Sequence, residues 1–262
     1  MNDDAFRILL AEAGGRWPGY RKVRRGVQKR LRRHMQALGC PTVEAYRRRI
    51  RSDPAVRRDF RRCLAVSISR FFRDRRMWEV LETRLLPDLV RRHPHGLRVW
   101  SAGCARGEEA YTFATIWERQ PPPRPSMNIL ATDLHPGYLE QARCGAYGRG
   151  SLRDVPEPVR ETLFIAEGPD RWRIRPHLQQ RIDWRVHDLV HDPPPETEFA
   201  IIFLRNNLLT YVSDPARFRA FSRIVHHLAP DGVLAIGAHE RLPRGDFGLA
   251  PHPDCPLLRV RS

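Results

Sequence analysis

The stretch Arg98-Val99-Trp100-Ser101-Ala102-Gly103-Cys104-Ala105-Arg106-Gly107-Glu108-Glu109-Ala110-Tyr111 constrains this chain more than any other. It reads as a strand, a glycine-bearing loop and a helix that opens with two acids. Glycine at such a junction lets the backbone come close to a ligand, and the helix start offers free N–H groups. A phosphate would be repelled by Glu108 and Glu109. Paired carboxylates suit a ligand with a cationic end, such as the methionyl amine of S-adenosylmethionine. Downstream, Ile129-Leu130-Ala131-Thr132-Asp133 reads as a second strand ending in an acid, the position from which a carboxylate grips ribose hydroxyls.

At 262 residues the chain has room for one large domain, or one domain and a small one, and a hydrophobic content of 41% supports a real core. No apolar run approaches a membrane span and the N-terminus lacks the apolar segment of a signal peptide, so a cytoplasmic location is expected. Cys40, Cys63, Cys104, Cys144 and Cys255 are scattered without a C-x-x-C pair, which argues against a metal site and a disulfide framework. The net charge of +16 is uneven: residues 1–80 carry 22 Lys and Arg against 8 Asp and Glu. That third of the chain should attract an acidic partner, unless it is simply a solvated arginine-rich face.

Residues 1–80 read as helical. Val23, Val27, Leu31, Met35 and Leu38 fall on one stripe, surrounded by Lys22, Arg24, Arg25, Lys29, Arg30, Arg32 and Arg33. Further helices are expected at 43–50 and 54–66. From residue 97 the pattern alternates. Strands are expected at 97–100, 128–132, 182–187, 199–204 and 232–237, and helices at 108–119, 136–143 and 215–228. This predicts a mostly parallel sheet wrapped by helices. Residues 145–185 break the alternation, and 171–175 with 178–184 suggest a small antiparallel insert. The Pro- and Gly-rich tail, 242–262, is expected to be irregular.

Five ordered motifs resemble the chemotaxis-receptor methyltransferases of the CheR type. Ser67-Ile68-Ser69-Arg70-Phe71-Phe72-Arg73-Asp74 is similar to that family's T-x-F-F-R-D signature, and Trp100–Tyr111 to its W-S-A-G-C-S-T-G-E-E-P-Y loop. Ala131-Thr132-Asp133, Phe203-Leu204-Arg205-Asn206 and Gly237-Ala238-His239-Glu240 resemble its A-T-D, F-C-R-N and G-H-S-E segments. The resemblance runs from about residue 20 to about residue 240. It implies transfer of a methyl group from S-adenosylmethionine to receptor glutamates. It also implies a basic helical N-terminal domain (1–80) that docks on the substrate, and a Rossmann-like α/β methyltransferase domain (81–262) with a small β-insert (about 145–185).

By that resemblance Glu108 or Glu109, with Glu108 favoured, binds the cofactor's amino end beside Gly103. Asp133 accepts from the ribose hydroxyls, and Asp188 with Leu189 contacts adenine, where the family often has asparagine. Ser67, Ser69 and Arg73 line the cofactor pocket, Arg205 and Asn206 border it, and Arg73, Arg205 and Tyr211 form the methyl-transfer site. Arg73 is placed to hold the acceptor carboxylate bidentately. The chain departs from the family at R-N-V-x-x-Y-F: Arg205-Asn206-Asn207-Leu208-Leu209-Thr210-Tyr211 brings the tyrosine one residue late. On a helix that shift rotates a side chain by roughly 100°. Either Tyr211 keeps its place through a bulge or tighter turn, the expectation adopted, or Thr210 faces the site.

Carboxylate methylation needs no general base, because the nucleophile is already ionised; His187, His191, His226 and His227 are read as packing or surface residues. The implied partner is an acidic protein, such as the cytoplasmic part of a membrane receptor. The expected protein is a monomer without a stable nucleic-acid complex. The residues leave three alternatives: another methyl acceptor on the same fold, a cofactor-binding module without activity, and an NAD-dependent dehydrogenase. The last is disfavoured because the loop lacks G-x-G-x-x-G spacing and its two acids would repel a pyrophosphate.

Overall fold

The computed structural model describes residues 1–253 and 255–261. Its larger sheet is built from β1 (Leu97–Ala102), β2 (Met127–Asp133), β6 (Ile182–Val186), β7 (Phe199–Leu204), β8 (Leu228–Ile236), β9 (Leu249–Pro251) and β10 (Leu257–Val260), in the order β6-β2-β1-β7-β8-β10-β9. The strands from β6 across to β8 are parallel; β10 and β9 add antiparallel edges. The tail is therefore not the irregular segment expected. Leu257 and Leu258 are buried against β8, and that apolar pair turns a Pro-rich stretch into a strand. β7 is buried along its whole length, Phe-Ala-Ile-Ile-Phe-Leu, as a strand covered on both faces must be.

The second sheet is β3 (Ala146–Gly148), β5 (Arg171–Ile174) and β4 (Phe164–Gly168), all antiparallel. The insert was expected to pair 171–175 with 178–184. Instead Pro176–Gln179 is a short helix, and the residues after it belong to β6 of the main sheet. The partners of β5 come from segments whose apolar content is too short to mark a strand.

Three apolar clusters organise the packing, one among the N-terminal helices and one on each face of the main sheet, where alternate residues of β1 and β7 divide between them. Phe6, Leu31, Tyr46 and Phe60 centre a cluster that runs from Phe6 to Leu64. Three of its helices start on side-chain caps: Asn2 accepts from Ala5 N, Thr42 from Ala45 N, and Asp53 from Ala55 N just before a helix with Pro54 at its first position. On helix Arg24–Ala37 the expected stripe is the inner face, with Val27, Leu31 and Met35 buried. From Phe71 onward side chains join the sheet clusters, so Met77, Trp78 and Leu81 pack with Val99 and Phe203. The change of core thus falls between Leu64 and Phe71, ahead of residue 80.

The N-terminal cluster is stitched at one seam to the segment after β7, whose Leu208 and Leu209 are buried with Trp100 and Phe199 on the other face of the sheet. Arg16 N donates to Tyr211 O (2.8 Å), Ser213 N to Gly14 O (2.8 Å), and Arg16 Nη1 to Leu209 O (2.8 Å). A methyl group at Gly19 would meet Thr210 O at 2.3 Å, so the chains touch backbone to backbone there.

Candidate functional site

The chain runs β1, β2, β6 toward one edge and β7, β8 toward the other, so the order reverses between β1 and β7. In open parallel sheets this reversal opens a crevice at the carboxyl ends of the strands. A cleft of about 1120 Å³, open to solvent, lies here and is roofed by the N-terminal cluster through Tyr20, Arg61 and Leu64.

The loop after β1 is tied down by backbone contacts. Gly103 N and Cys104 N both donate to Thr132 O at 2.8 Å, and Ala105 N donates to Asp133 Oδ2 at 2.9 Å. Gly103 has φ +83°, and a Cβ there would lie 2.2 Å from Asn207 Nδ2; no other residue fits. Asp133 ends β2, and its Oδ1 accepts from His135 N at 2.9 Å. Burial pushes its pKa up despite these N–H groups. Each of its oxygens keeps lone-pair capacity toward the cleft.

The paired acids separate. Glu109 lines the cleft with both oxygens engaged, by Ser101 Oγ (2.8 Å) and Arg205 Nη1 (2.9 Å). Glu108 is fully buried one side chain behind the wall. Its Oε1 accepts from Ser151 Oγ (3.1 Å) and lies 3.5 Å from Arg106 Nη2, while its Oε2 has no partner among the described residues. Burial raises its pKa against the pull of Arg106, Ser151 and Ser69, and Ser69 itself lines the cleft. A buried carboxylate oxygen without a donor fits a cationic amine.

The opposite wall is made of side-chain links. Arg205 is buried, and its guanidinium donates to Glu109, to Arg73 O (3.0 Å) and to Asp74 Oδ2 (2.7 Å), 5.5 Å from the centre of the Trp78 ring. Arg205 is therefore a strut between two carboxylates, and its expected share in clamping a substrate would require breaking those pairs. Arg73 reaches the cleft less encumbered: Nη1 donates to Ile68 O (2.8 Å) and Nη2 to Asn206 Oδ1 (3.1 Å). Burial lowers its pKa, with Asp74 opposing.

The late tyrosine is accommodated before its helix. Asn206 takes φ +56°, and Asn207 (φ −133°, ψ −96°) caps helix Leu208–Tyr211. The extra residue is absorbed there, and Tyr211 lines the cleft, its ring 4.8 Å from that of Tyr20. Thr210 turns the other way and donates its hydroxyl to Glu240. Glu240 also accepts from Asn206 N and Gly237 N, both at 2.8 Å, and so holds the turn from behind.

Asp188 and Leu189 both line the cleft. The Asp188 carboxylate is already occupied by Arg61 Nη1 (3.2 Å), His191 Nδ1 (2.9 Å) and Val190 N (2.9 Å). Its pKa is lowered although burial pushes upward, because His191, Val190 and Arg61 favour the charge. Ser67 is not among the residues facing the cleft. His187 is, but its Nε2 is engaged by Pro193 O at 2.8 Å. Tyr20, Arg61 and Tyr138 also face it and carry no signal in the sequence, whereas the supporting Asp74, Ser101, Thr132 and Glu240 all lie in the motifs noted above.

A parallel sheet with a glycine loop after β1, an acid at the end of β2 and a buried glutamate behind the cleft wall is the layout of an S-adenosylmethionine-dependent methyltransferase. The chain belongs to the CheR methyltransferase family: the family description "CheR methyltransferase, SAM binding domain" matches residues 67–252. It is 35% identical over 210 residues to a chemotaxis protein methyltransferase of Listeria monocytogenes, covering 80% of this chain and 79% of that one. Similar proteins of the same description occur in Pseudomonas putida (29% identity; 92% of this chain, 90% of that one) and Pseudomonas aeruginosa (29%; 91% and 89%). No helix among the described residues is long and apolar enough to cross a membrane.

Proposed function

We propose that the chain methylates side-chain carboxylates, in particular glutamates, on an acidic protein of the chemotaxis-receptor kind. The relatives' description as chemotaxis protein methyltransferases motivates the substrate, and the basic face of helix Arg24–Ala37 suits an acidic docking partner. The observation that carries the reading is Arg73, half-buried at the cleft next to Tyr211, with donor capacity beyond its two hydrogen bonds.

In this reading Glu108 holds the amino end of S-adenosylmethionine through its unpartnered Oε2, Asp133 accepts from the ribose, and Asp188–Leu189 borders the base. Gly103 gives the backbone room. Glu109 serves chiefly to anchor Arg205, which with Asn206 fixes Arg73. The bound cofactor supplies a methyl group on a positively charged sulfur. The acceptor carboxylate would take that methyl group while the bonding electron pair remained with the sulfur. A negative and a positive group become two neutral ones and no proton moves, so the protein's task is to align, hold and exclude water. Arg73 orients the carboxylate, and Tyr211 with Tyr20 closes the site on the acceptor side. The helical cluster before Leu64 acts as the docking unit.

The test is methyl transfer from radiolabelled S-adenosylmethionine into extract of the source cell, followed by mild alkali. Label released as methanol from protein supports carboxyl methylation; alkali-stable label overturns it.

A further inference from the structure

A second hollow, of about 1530 Å³ and open to solvent, lies on the far side of helix Leu208–Tyr211 from the cleft. Its walls come from four stretches: the seam segment around Arg16, Leu209 and Thr210 of the helix itself, the start of helix Ala216–Val225, and the segment after β8. Four arginines face it, Arg16, Arg217, Arg241 and Arg244. Its acids are Asp214 and Glu240, and both are spent. Asp214 is bound twice by Arg217 (3.2 and 2.8 Å), and Glu240 by Thr210 and two backbone N–H groups. Arg241 and Arg244 are exposed and have no hydrogen-bond or ion-pair partner among the described residues.

In this chain arginines of the sheet region are mostly paired with carboxylates, so unpaired ones converging on a hollow stand apart. A concave site with excess positive charge focuses its field and concentrates anions. Arg16 and Arg217 also face the same Leu209 carbonyl, at 2.8 and 3.5 Å, which sets two like charges side by side. Burial, and then Arg217, lower the pKa of Arg16, a cost that a bound anion would relieve. Beside them Phe218 is 42% exposed, with its ring 5.5 Å from Phe247. An aromatic face next to guanidinium groups is the pairing that takes a base with one end and phosphates with the other.

We propose that this hollow binds a nucleotide, its phosphates held among Arg16, Arg241 and Arg244 and its base laid against Phe218. The site is separate from the methyl-transfer cleft. Helix Leu208–Tyr211 is the partition between them, with Thr210 toward the hollow and Tyr211 toward the cleft.

The experiment is calorimetric titration of the full chain with ATP at constant ionic strength, S-adenosylhomocysteine being present in excess to fill the cleft. Pyrophosphate and adenosine are the comparison probes. Saturable one-to-one binding of ATP is expected, weakened about tenfold or more by Arg241→Gln with Arg244→Gln. Phe218→Ala should weaken ATP but not pyrophosphate. Arg32→Gln with Arg33→Gln, on the basic helix, should leave both unchanged. Absence of saturable binding overturns the proposal. So does an equal loss in the Arg32/Arg33 variant, which would reduce the effect to general attraction. Equal affinity for pyrophosphate and ATP, insensitive to Phe218→Ala, overturns the nucleotide assignment. Thermal melts of each variant separate lost binding from lost fold.

Discussion

The two walls of the cleft are built on different principles. On the β1–β2 side the backbone does the holding: Gly103, Cys104 and Ala105 donate to Thr132 and Asp133. On the β7 side long side chains hold one another, Arg205 between Glu109 and Asp74, Asn206 on Arg73, Thr210 on Glu240. The first wall tolerates little substitution at glycine. The second is a set of pairs that stand or fall together. Under the proposed function, the cofactor end is fixed by main-chain geometry and the acceptor end by mutual support.

The largest effect should come from breaking the strut. Arg205→Ala leaves Glu109 and Asp74 without their buried partner, a loss of about 3–5 kcal/mol in stability. Thermal unfolding checks it; a melting temperature near that of the parent chain would show the wall is not cooperative. On the opposite wall Asp133→Ala should abolish cofactor binding while the fold survives. Measurable S-adenosylhomocysteine affinity in titration would remove Asp133 from the ribose role.

Glu108→Gln should act with two signs. The folded-state pKa of Glu108 is raised, so its ionised form opposes folding: its contribution is favourable below the unfolded pKa and is lost as pH rises. The variant should therefore melt higher than the parent at neutral pH, with the gap closing toward acid. Its cofactor binding should weaken by about 2–5 kcal/mol through loss of a buried charge partner. Weaker binding without the gain in stability would point to a distorted site rather than a missing charge.

Smaller and more selective is Arg73→Ala, expected to lower turnover by about 10²–10³ while cofactor affinity holds. Turnover close to the parent's would end its role as the acceptor's guide. Smallest is Thr210→Val, which removes one hydrogen bond to Glu240, at about 1 kcal/mol. A shift in acceptor KM with cofactor KM unchanged would show that the turn it supports belongs to the acceptor side.

The same contrast decides what could be read in the sequence. That Gly103 and Asp133 border a cleft was legible, because a glycine between a strand and an acid-led helix has few uses and the spacing is local; which of the two acids faces the cleft was not, and it is Glu109. The alternation from residue 97 carries the parallel sheet for the same reason. What escaped was long-range. Nothing near Arg205 says that its partners stand at 74 and 109, so it was read as a substrate group. Tyr20 meets Tyr211 across 191 positions of chain, a closeness only tertiary packing creates. The edge strands β9 and β10 were hidden by prolines flanking a short apolar pair. The late tyrosine was visible as an anomaly, but its resolution lay in the backbone of Asn206 and Asn207, which periodicity cannot report.

The seam at Gly14–Tyr20 bears on how such enzymes can be recombined. Because that segment grips Leu208–Ser213 by backbone contacts, the helical head forms one side of the cleft and, under the proposed function, is also the handle for the substrate. A chimera that borrows a relative's docking helices to redirect specificity would have to import the matching stretch after β7 along with them, or the graft would bring the new substrate to a chamber with an ill-fitting side.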